Sequence, residues 1–456
     1  MSEKRVKTVF ACGECGATSP RWMGRCPGCG AWNTLAEERA IKPPTGRAGR
    51  RGRAVAPVAL GDVGGENDAR ISTGLGELDR VLGGGLVEGS VVLLGGEPGI
   101  GKSTLLLAAL SSLTARGHAC LYVSAEESAA QVALRARRLG GEGMQELRLL
   151  PTTELEDLES ALEAASYSVV VVDSIQTLRS SALTSAPGSV GQIREVAGRL
   201  LDRAKRDLSS LILVGHVTKD GSLAGPKVLE HLVDTVLTFE ADASQAYRLL
   251  RADKNRFGPS FEVGVFEMAG DGLHEVDDPS ALFLAERPRG ASGSVVLPSA
   301  EGSRALLVEV QALVAPALYG AARRVASGLD AQRLAILLAV LDRKAGVHVL
   351  DQDVFASVAG GARVFERATD LALAVAIVSS FRDRPLAQGL AVFGEVGLAG
   401  EVRAVPRAEA RVREAQKLGF ERVILPRANL ERSALADIKG IELDPVDTIE
   451  QTLERI

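Results

Sequence analysis

Nine consecutive residues, Gly96-Glu97-Pro98-Gly99-Ile100-Gly101-Lys102-Ser103-Thr104, carry the clearest chemistry in this chain. They fill every fixed position of the pattern GxxxxGK[ST], between an apolar strand over Val91 to Leu94 and an apolar helix from about Leu105. The glycines let the backbone curl until successive N–H groups point inward at phosphate oxygens, and the positive end of the following helix adds to the attraction. Lys102 is placed to reach the β- and γ-phosphates, Ser103 to offer a hydroxyl to Mg²⁺, and Thr104 to touch the α-phosphate. A Gly-rich turn with a helix cap needs no lysine followed by two hydroxyls, so the pattern predicts binding of ATP or GTP.

Two further acids extend this site. Val169 to Val172 form an all-apolar strand that ends in Asp173-Ser174, where a carboxylate holds Mg²⁺ through water opposite Ser103. The strand Leu121 to Ser124 runs into Ala125-Glu126-Glu127, which puts a carboxylate beside the phosphate loop if that strand is its neighbour. Glu126 is the candidate for polarising the attacking water and Glu127 the second choice; the alternative is that both acids cap the following helix. His216, at the end of the strand Leu211 to Gly215, could sense the γ-phosphate and pass its loss to the loop containing Gly221 and Gly225-Pro226, or be a plain strand-end histidine.

A separate chemistry occupies the first thirty residues. Cys12, Cys15, Cys26 and Cys29 form CxxC-x10-CxxC, in which each CxxC turn offers two thiolates and the spacing closes a tetrahedron around Zn²⁺. Two disulfides are the alternative, disfavoured for a chain expected in the cytoplasm. With four protein ligands the metal would be structural. Cys120, in the apolar run Ala119 to Val123, is read as a buried strand residue.

These residues need elements to hold them. At 456 residues the chain exceeds one hydrophobic core, and two or three domains are expected. Its longest apolar stretch, Leu371 to Val378, is too short to span a bilayer, and no secretory signal pattern opens the sequence. Net charge is −5, yet residues 1–58 hold eleven Lys/Arg against four Glu, +7 at one end and −12 for the rest. That asymmetry points to a polyanion partner, or to a linker kept soluble by charge. Residues 1–40 read as a zinc knuckle, 41–58 as a basic Pro/Gly linker, 59–276 as the ATPase and 277–456 as a second α/β unit; no internal repeat is evident. In the ATPase, strands over Val91 to Leu94, Ala119 to Ser124, Leu147 to Leu150, Ser168 to Asp173 and Leu211 to His216 alternate with helical patterns, which predicts a mostly parallel sheet covered on both faces. Arg248 to Ala252 and Phe261 to Met268 look like a hairpin beyond it.

Lys254-Asn255-Arg256-Phe257-Gly258, behind this core and the four-cysteine knuckle, resembles the signature of the bacterial RadA (Sms) family of DNA recombination and repair proteins. The likeness runs the whole length, through YVSAEES, VVVVDSIQT and GHVTKDG to a C-terminal domain similar to the proteolytic domain of Lon. It implies a RecA-like, ATP- and Mg²⁺-dependent motor that forms hexameric rings, binds single-stranded and branched DNA and extends heteroduplex joints beside a recombinase. Lys254 and Arg256, alternating on one face, could reach a neighbouring subunit's triphosphate as cations acting in trans. In the Lon-like region the nucleophile position falls on Ala368 and the lysine position on Glu409, a pair without nucleophilic chemistry. Thr369, one residue on, is expected to point elsewhere. The competing readings are an ATP-dependent protease, against which the missing dyad argues, and an ATP-switched regulator, against which the knuckle and the +7 segment argue.

Overall fold

The computed structural model describes residues 8–12, 17–28, 30–39, 70–183, 185–216, 228–241, 247–317, 321–359, 364–432 and 434–456. Cys15, Cys29, the linker 41–58 and the loop containing Gly221 and Gly225-Pro226 lie outside them. The chain divides into two compact units, residues 1–240 with 248–275, and 241–247 with 276–456.

The first unit begins with a small antiparallel sheet in which β1 (Thr8–Cys12) pairs with both β2 (Thr18–Ser19) and β3 (Leu35–Arg39). Its larger sheet has nine strands. In chain order these are β4 (Val91–Gly96), β5 (Cys120–Ser124), β6 (Arg148–Pro151), β7 (Val169–Asp173), β8 (Ser210–Val214), β9 (Thr235–Ala241), β10 (Tyr247–Asn255), β11 (Val263–Ala269) and β12 (Gly272–Glu275). Across the sheet they run β12-β11-β10-β9-β4-β8-β7-β5-β6, and the stretch from β9 to β6 is wholly parallel. Alternate side chains enter two cores. Val92 and Leu94 join Tyr122, Val171 and Ile212 on the face covered by α1 (Gly76–Leu82) and α2 (Lys102–Ala115). Val91 and Leu93 join Val123, Val172 and Leu213 on the face covered by Leu155 and Leu158 of one helix and Ile193, Val196 and Leu200 of another. Burial on both faces is why these strands read as unbroken apolar runs.

Three sequence expectations shift. The hairpin is not beyond the sheet, because β9, which the sequence reading missed, pairs directly with β4 and carries β10 and β11 into the same layer. The helix of the phosphate loop starts at Lys102, three residues earlier than expected, since a loop ending in Gly101 already presents the first turn. And β5 is not beside β4: β8 and β7 lie between them.

The second unit has a seven-stranded mixed sheet and, packed on it, a helix over Thr369–Phe381 that is buried along most of its length. Buried ion pairs set its corners. Arg411, with no exposed side-chain surface, donates to Glu366 Oε1 at 2.8 Å, and Arg333 Nε donates to Asp370 Oδ1 at 2.8 Å. Burial raises the Asp370 pKa, with Arg333 opposing it.

Candidate functional site: a phosphate-loop cleft

Parallel strands end on one side of the sheet, and the crevice beyond those ends is where such sheets bind ligands. Here a cleft of about 470 Å³ is lined by Lys102, Ser103, Thr104, Glu126, Asp173 and His216, from the ends of β4, β5, β7 and β8. The phosphate loop closes one wall. Gly101 has φ +117°, a backbone conformation that strains residues with a side chain; a Cβ there would also lie 2.7 Å from the end of the flexible Met268 side chain. Arg248 in β10 donates from Nε to Ile100 O at 3.0 Å and pins the loop from the other side.

Lys102 Nζ donates to the carbonyls of Gly96 at 2.7 Å and Glu97 at 2.9 Å. Burial pulls its pKa below the ordinary lysine value, while Asp173, Glu126 and Glu97 oppose that shift. Ser103 Oγ donates to Asp173 Oδ2 at 2.6 Å, and Tyr122 O–H donates to the same oxygen at 2.5 Å. The expected metal pair is thus in direct contact, with Tyr122 as a support that the sequence reading missed. Burial raises the Tyr122 pKa well above its usual value, so the phenol remains a donor.

The two glutamates separate cleanly. Although β5 is three strands from β4, its turn swings Glu126 back over β7, where Ser174 Oγ donates to Glu126 Oε1 and His216 Nε2 sits 2.8 Å from the same oxygen. The hydrogen bond from His216 is the largest cause holding the Glu126 carboxyl below its ordinary pKa; Ser174 adds to it and burial opposes it. Glu127 instead pairs with Arg135 at 2.6 Å. Neither acid caps the next helix: Ser128 accepts from Gln131 N–H, and Gln131 closes the capping box. His216 lies two residues past the end of β8.

Lys254 and Arg256 are not at this cleft. With Arg248 at the phosphate loop, Lys254 lies six residues further along β10, roughly 20 Å away at strand rise. Lys254 Nζ donates to Glu230 O and Val233 O, both at 2.7 Å, capping the end of the helix Val228–Leu232. Burial, then Arg256, lowers its pKa. Arg256 is over half exposed and lies 3.4 Å from Asp234, whose other carboxylate oxygen accepts from Val91 N–H at 3.0 Å. Asn255 donates to Leu82 O at 3.1 Å, and a Cβ on Gly258 would meet Gly83 Cα at 2.9 Å, so the five-residue segment is wedged against the last turn of α1. Asp234 had no motif to announce it.

In the N-terminal sheet, Cys12 and Cys26 are buried together with Leu35. Cys26 Sγ accepts from Gly28 N–H at 3.3 Å, the backbone-to-sulfur bond of a metal knuckle, so these residues fit a thiolate zinc site. Cys120 is buried, as expected of a strand residue, and burial raises its thiol pKa. In the second unit Ala368 is buried at the start of the helix Thr369–Phe381, and Glu409 pairs with Arg413 at 2.8 Å. Thr369 is buried too, with a hydroxyl that has no hydrogen-bond partner among the described residues.

Comparison with known proteins decides the family. The DNA repair protein RadA of Pseudomonas aeruginosa is 51% identical over 99% of both chains; that of Bacillus subtilis is 48% identical over 98% of both. The RadA of Escherichia coli is 50% identical over 94% of this chain and 95% of its own. The chain belongs to the RadA family of DNA repair proteins. Within it, residues 63–222 match the AAA domain family, residues 10–37 a rubredoxin metal binding domain, and residues 342–429 the subunit ChlI of Mg-chelatase. The architecture is a zinc ribbon, a RecA-like ATPase core and a Lon-like α/β domain, and the cofactors of this family member are ATP, Mg²⁺ and Zn²⁺. Among solved structures, a KaiC-like protein from Pyrococcus horikoshii covers 46% of this chain at 20% identity with a TM-score of 0.40. No helix among the described residues is long and apolar enough to cross a membrane.

Proposed function

We propose that this RadA-family member is a DNA-stimulated ATPase that works in the cytoplasm as a homo-hexameric ring on single-stranded and branched DNA, extending heteroduplex joints beside a recombinase. The observation that carries the reading is the placement of Lys254 and Arg256. Both lie roughly 20 Å along the β10 direction from the chain's own phosphate loop, which supports action by the exposed Arg256 on a neighbour's triphosphate, with Lys254 bracing the segment that carries it. A ring supplies that neighbour. Asp234 links the two ends, since it holds both Arg256 and the first residue of the strand that leads into the phosphate loop.

In the cleft, Lys102 would leave the Gly96 and Glu97 carbonyls for the β- and γ-phosphates, and Ser103 and Asp173 would hold Mg²⁺. The metal would neutralise charge on the phosphoryl oxygens. Glu126, kept ionised by His216 and Ser174, would accept a proton from the attacking water. When that proton arrives, its hydrogen bonds to His216 and Ser174 change, which gives the strand end after β8 a readout of hydrolysis. Ala368 and Glu409 leave the C-terminal domain without a nucleophile and its base, which supports a scaffold for assembly or DNA contact.

The deciding experiment mixes Lys102→Ala protein with Arg256→Ala protein and measures ATP turnover with single-stranded DNA present. Turnover regained in mixed rings is the expected result. None regained, in rings shown to exchange subunits, refutes action in trans. Casein incubated with the intact chain, ATP and DNA should yield no fragments; cleavage lost in Thr369→Ala would reinstate the protease.

A further inference from the structure

The chain has two tryptophans, Trp22 and Trp32, and the fold spends neither on a core. Both lie on the zinc ribbon, 54% and 70% exposed, while the ribbon's interior is made by Cys12, Cys26 and Leu35 with Phe10, Ala17 and Met23 against them. Large aromatic rings held in water on so small a domain call for a partner that covers them.

Their arrangement narrows the partner. Residues 24–26 and 31–33 pair closely: Asn33 N–H donates to Gly24 O at 2.7 Å, Cys26 N–H donates to Ala31 O at 2.8 Å, and Arg25 forms a β-bridge with Trp32. A Cβ built on Gly24 would lie 3.7 Å from Trp32 Cζ3 and 3.8 Å from Trp22 Cη2, so both rings reach the same residue, one without a side chain. Arg25 donates from Nε to Gly30 O at 3.0 Å and sets its guanidinium 5.9 Å from the Trp32 ring centroid. That braces the ring on one side and leaves most of its surface to solvent. Exposed Arg21 adds a second cation, in an N-terminal segment that carries +7. Aromatic faces for stacking, with guanidinium groups beside them to meet phosphate, are what sequence-tolerant single-strand binding uses.

We propose that Trp22 and Trp32, straddling Gly24 and flanked by Arg21 and Arg25, form a base-stacking site for single-stranded nucleic acid on the zinc ribbon. The site deepens the DNA-dependent reading above and rests on it. It gives the ribbon a grip on the strand that is independent of the ATPase cleft.

Because no other tryptophan exists in the chain, intrinsic tryptophan fluorescence of the full-length protein reports on this hairpin alone. Titration with oligo-dT should quench that emission in parallel with the rising anisotropy of a labelled oligo-dT. Trp22→Ala and Trp32→Ala should each weaken oligo-dT binding roughly fivefold or more, and Trp→Phe should recover most of it. Gly24→Leu, which puts a side chain against both rings, should weaken binding with both tryptophans in place. One zinc per chain and unchanged DNA-free ATP turnover in the variants would show that ribbon and motor are intact. The proposal is overturned if the parent binds oligo-dT without quenching, or if the variants bind as the parent does; the DNA-dependent reading survives both results. A parent that does not bind oligo-dT overturns both. Variants that bind normally but fail to extend joints beside a recombinase would assign the rings to a protein partner instead.

Discussion

Lys254 and Arg256 belong to one motif, yet the structure assigns them different mechanical duties, and that difference is measurable. Lys254 Nζ donates to two carbonyls at the end of a helix, each at 2.7 Å, from a half-buried position. Hydrogen bonds from a charged donor contribute about 1.5–3 kcal/mol each when their acceptors stay buried. Water reaches these carbonyls once the side chain is gone, so we expect Lys254→Ala to cost about 2 kcal/mol in all, a fall of about 6 °C in the transition of a unit this size. The Arg256 side chain pairs with Asp234 at 3.4 Å with more than half its surface exposed. Such surface pairs contribute about 0–1 kcal/mol, so Arg256→Ala should melt within about 3 °C of the parent. Both variants should lose DNA-stimulated turnover. Differential scanning calorimetry beside a phosphate-release assay separates the two effects. Parent-like melting of Lys254→Ala, or a lower transition for Arg256→Ala than for Lys254→Ala, would refute the division between brace and exposed cation.

Lys102→Ala should lower ATP hydrolysis by about two orders of magnitude or more, since the phosphate loop's own cation on the transferring group is lost; phosphate release at saturating ATP checks this. Glu126→Gln should reduce turnover at least as much and Glu127→Gln far less, because Glu127 is tied to Arg135. The folded-state pKa of Glu126 is lowered, so its base form is present above that pKa and activity falls only as pH drops through it, below the ordinary glutamate value. In His216→Ala the acid limb of the pH–rate profile should therefore move upward, and an unmoved limb would exclude Glu126 as the titrating base. Metal analysis of the purified protein should return one zinc per chain, with release on treatment with a thiol-reactive mercurial; zinc near zero with reactive thiols would exclude the knuckle.

The order of residues alone determined the phosphate loop, the acid that follows Val169 to Val172, the cysteine spacing and the apolar strands, because each depends on neighbours a few positions away. Local pattern also set the sheet's class, since strands buried on both faces must read as unbroken Val and Leu. It left β9 unseen: Thr235–Ala241 mixes threonines and an acid into its run, and only its pairing beside β4 makes it central. Strand order was likewise invisible, and with it the route by which Glu126 reaches the cleft. No periodicity records that β8 and β7 lie between β5 and β4, or that a turn brings Glu126 against Ser174 and His216, 48 and 90 residues away in sequence. Tertiary structure also separated the two adjacent glutamates, giving one a histidine and the other an arginine. It also wedged the Lys254–Gly258 segment against two helix ends, with Asp234 joining it to the phosphate-loop strand. These are contacts between distant segments, whose energies depend on where the sheet places them, and a one-dimensional pattern carries no term for that placement.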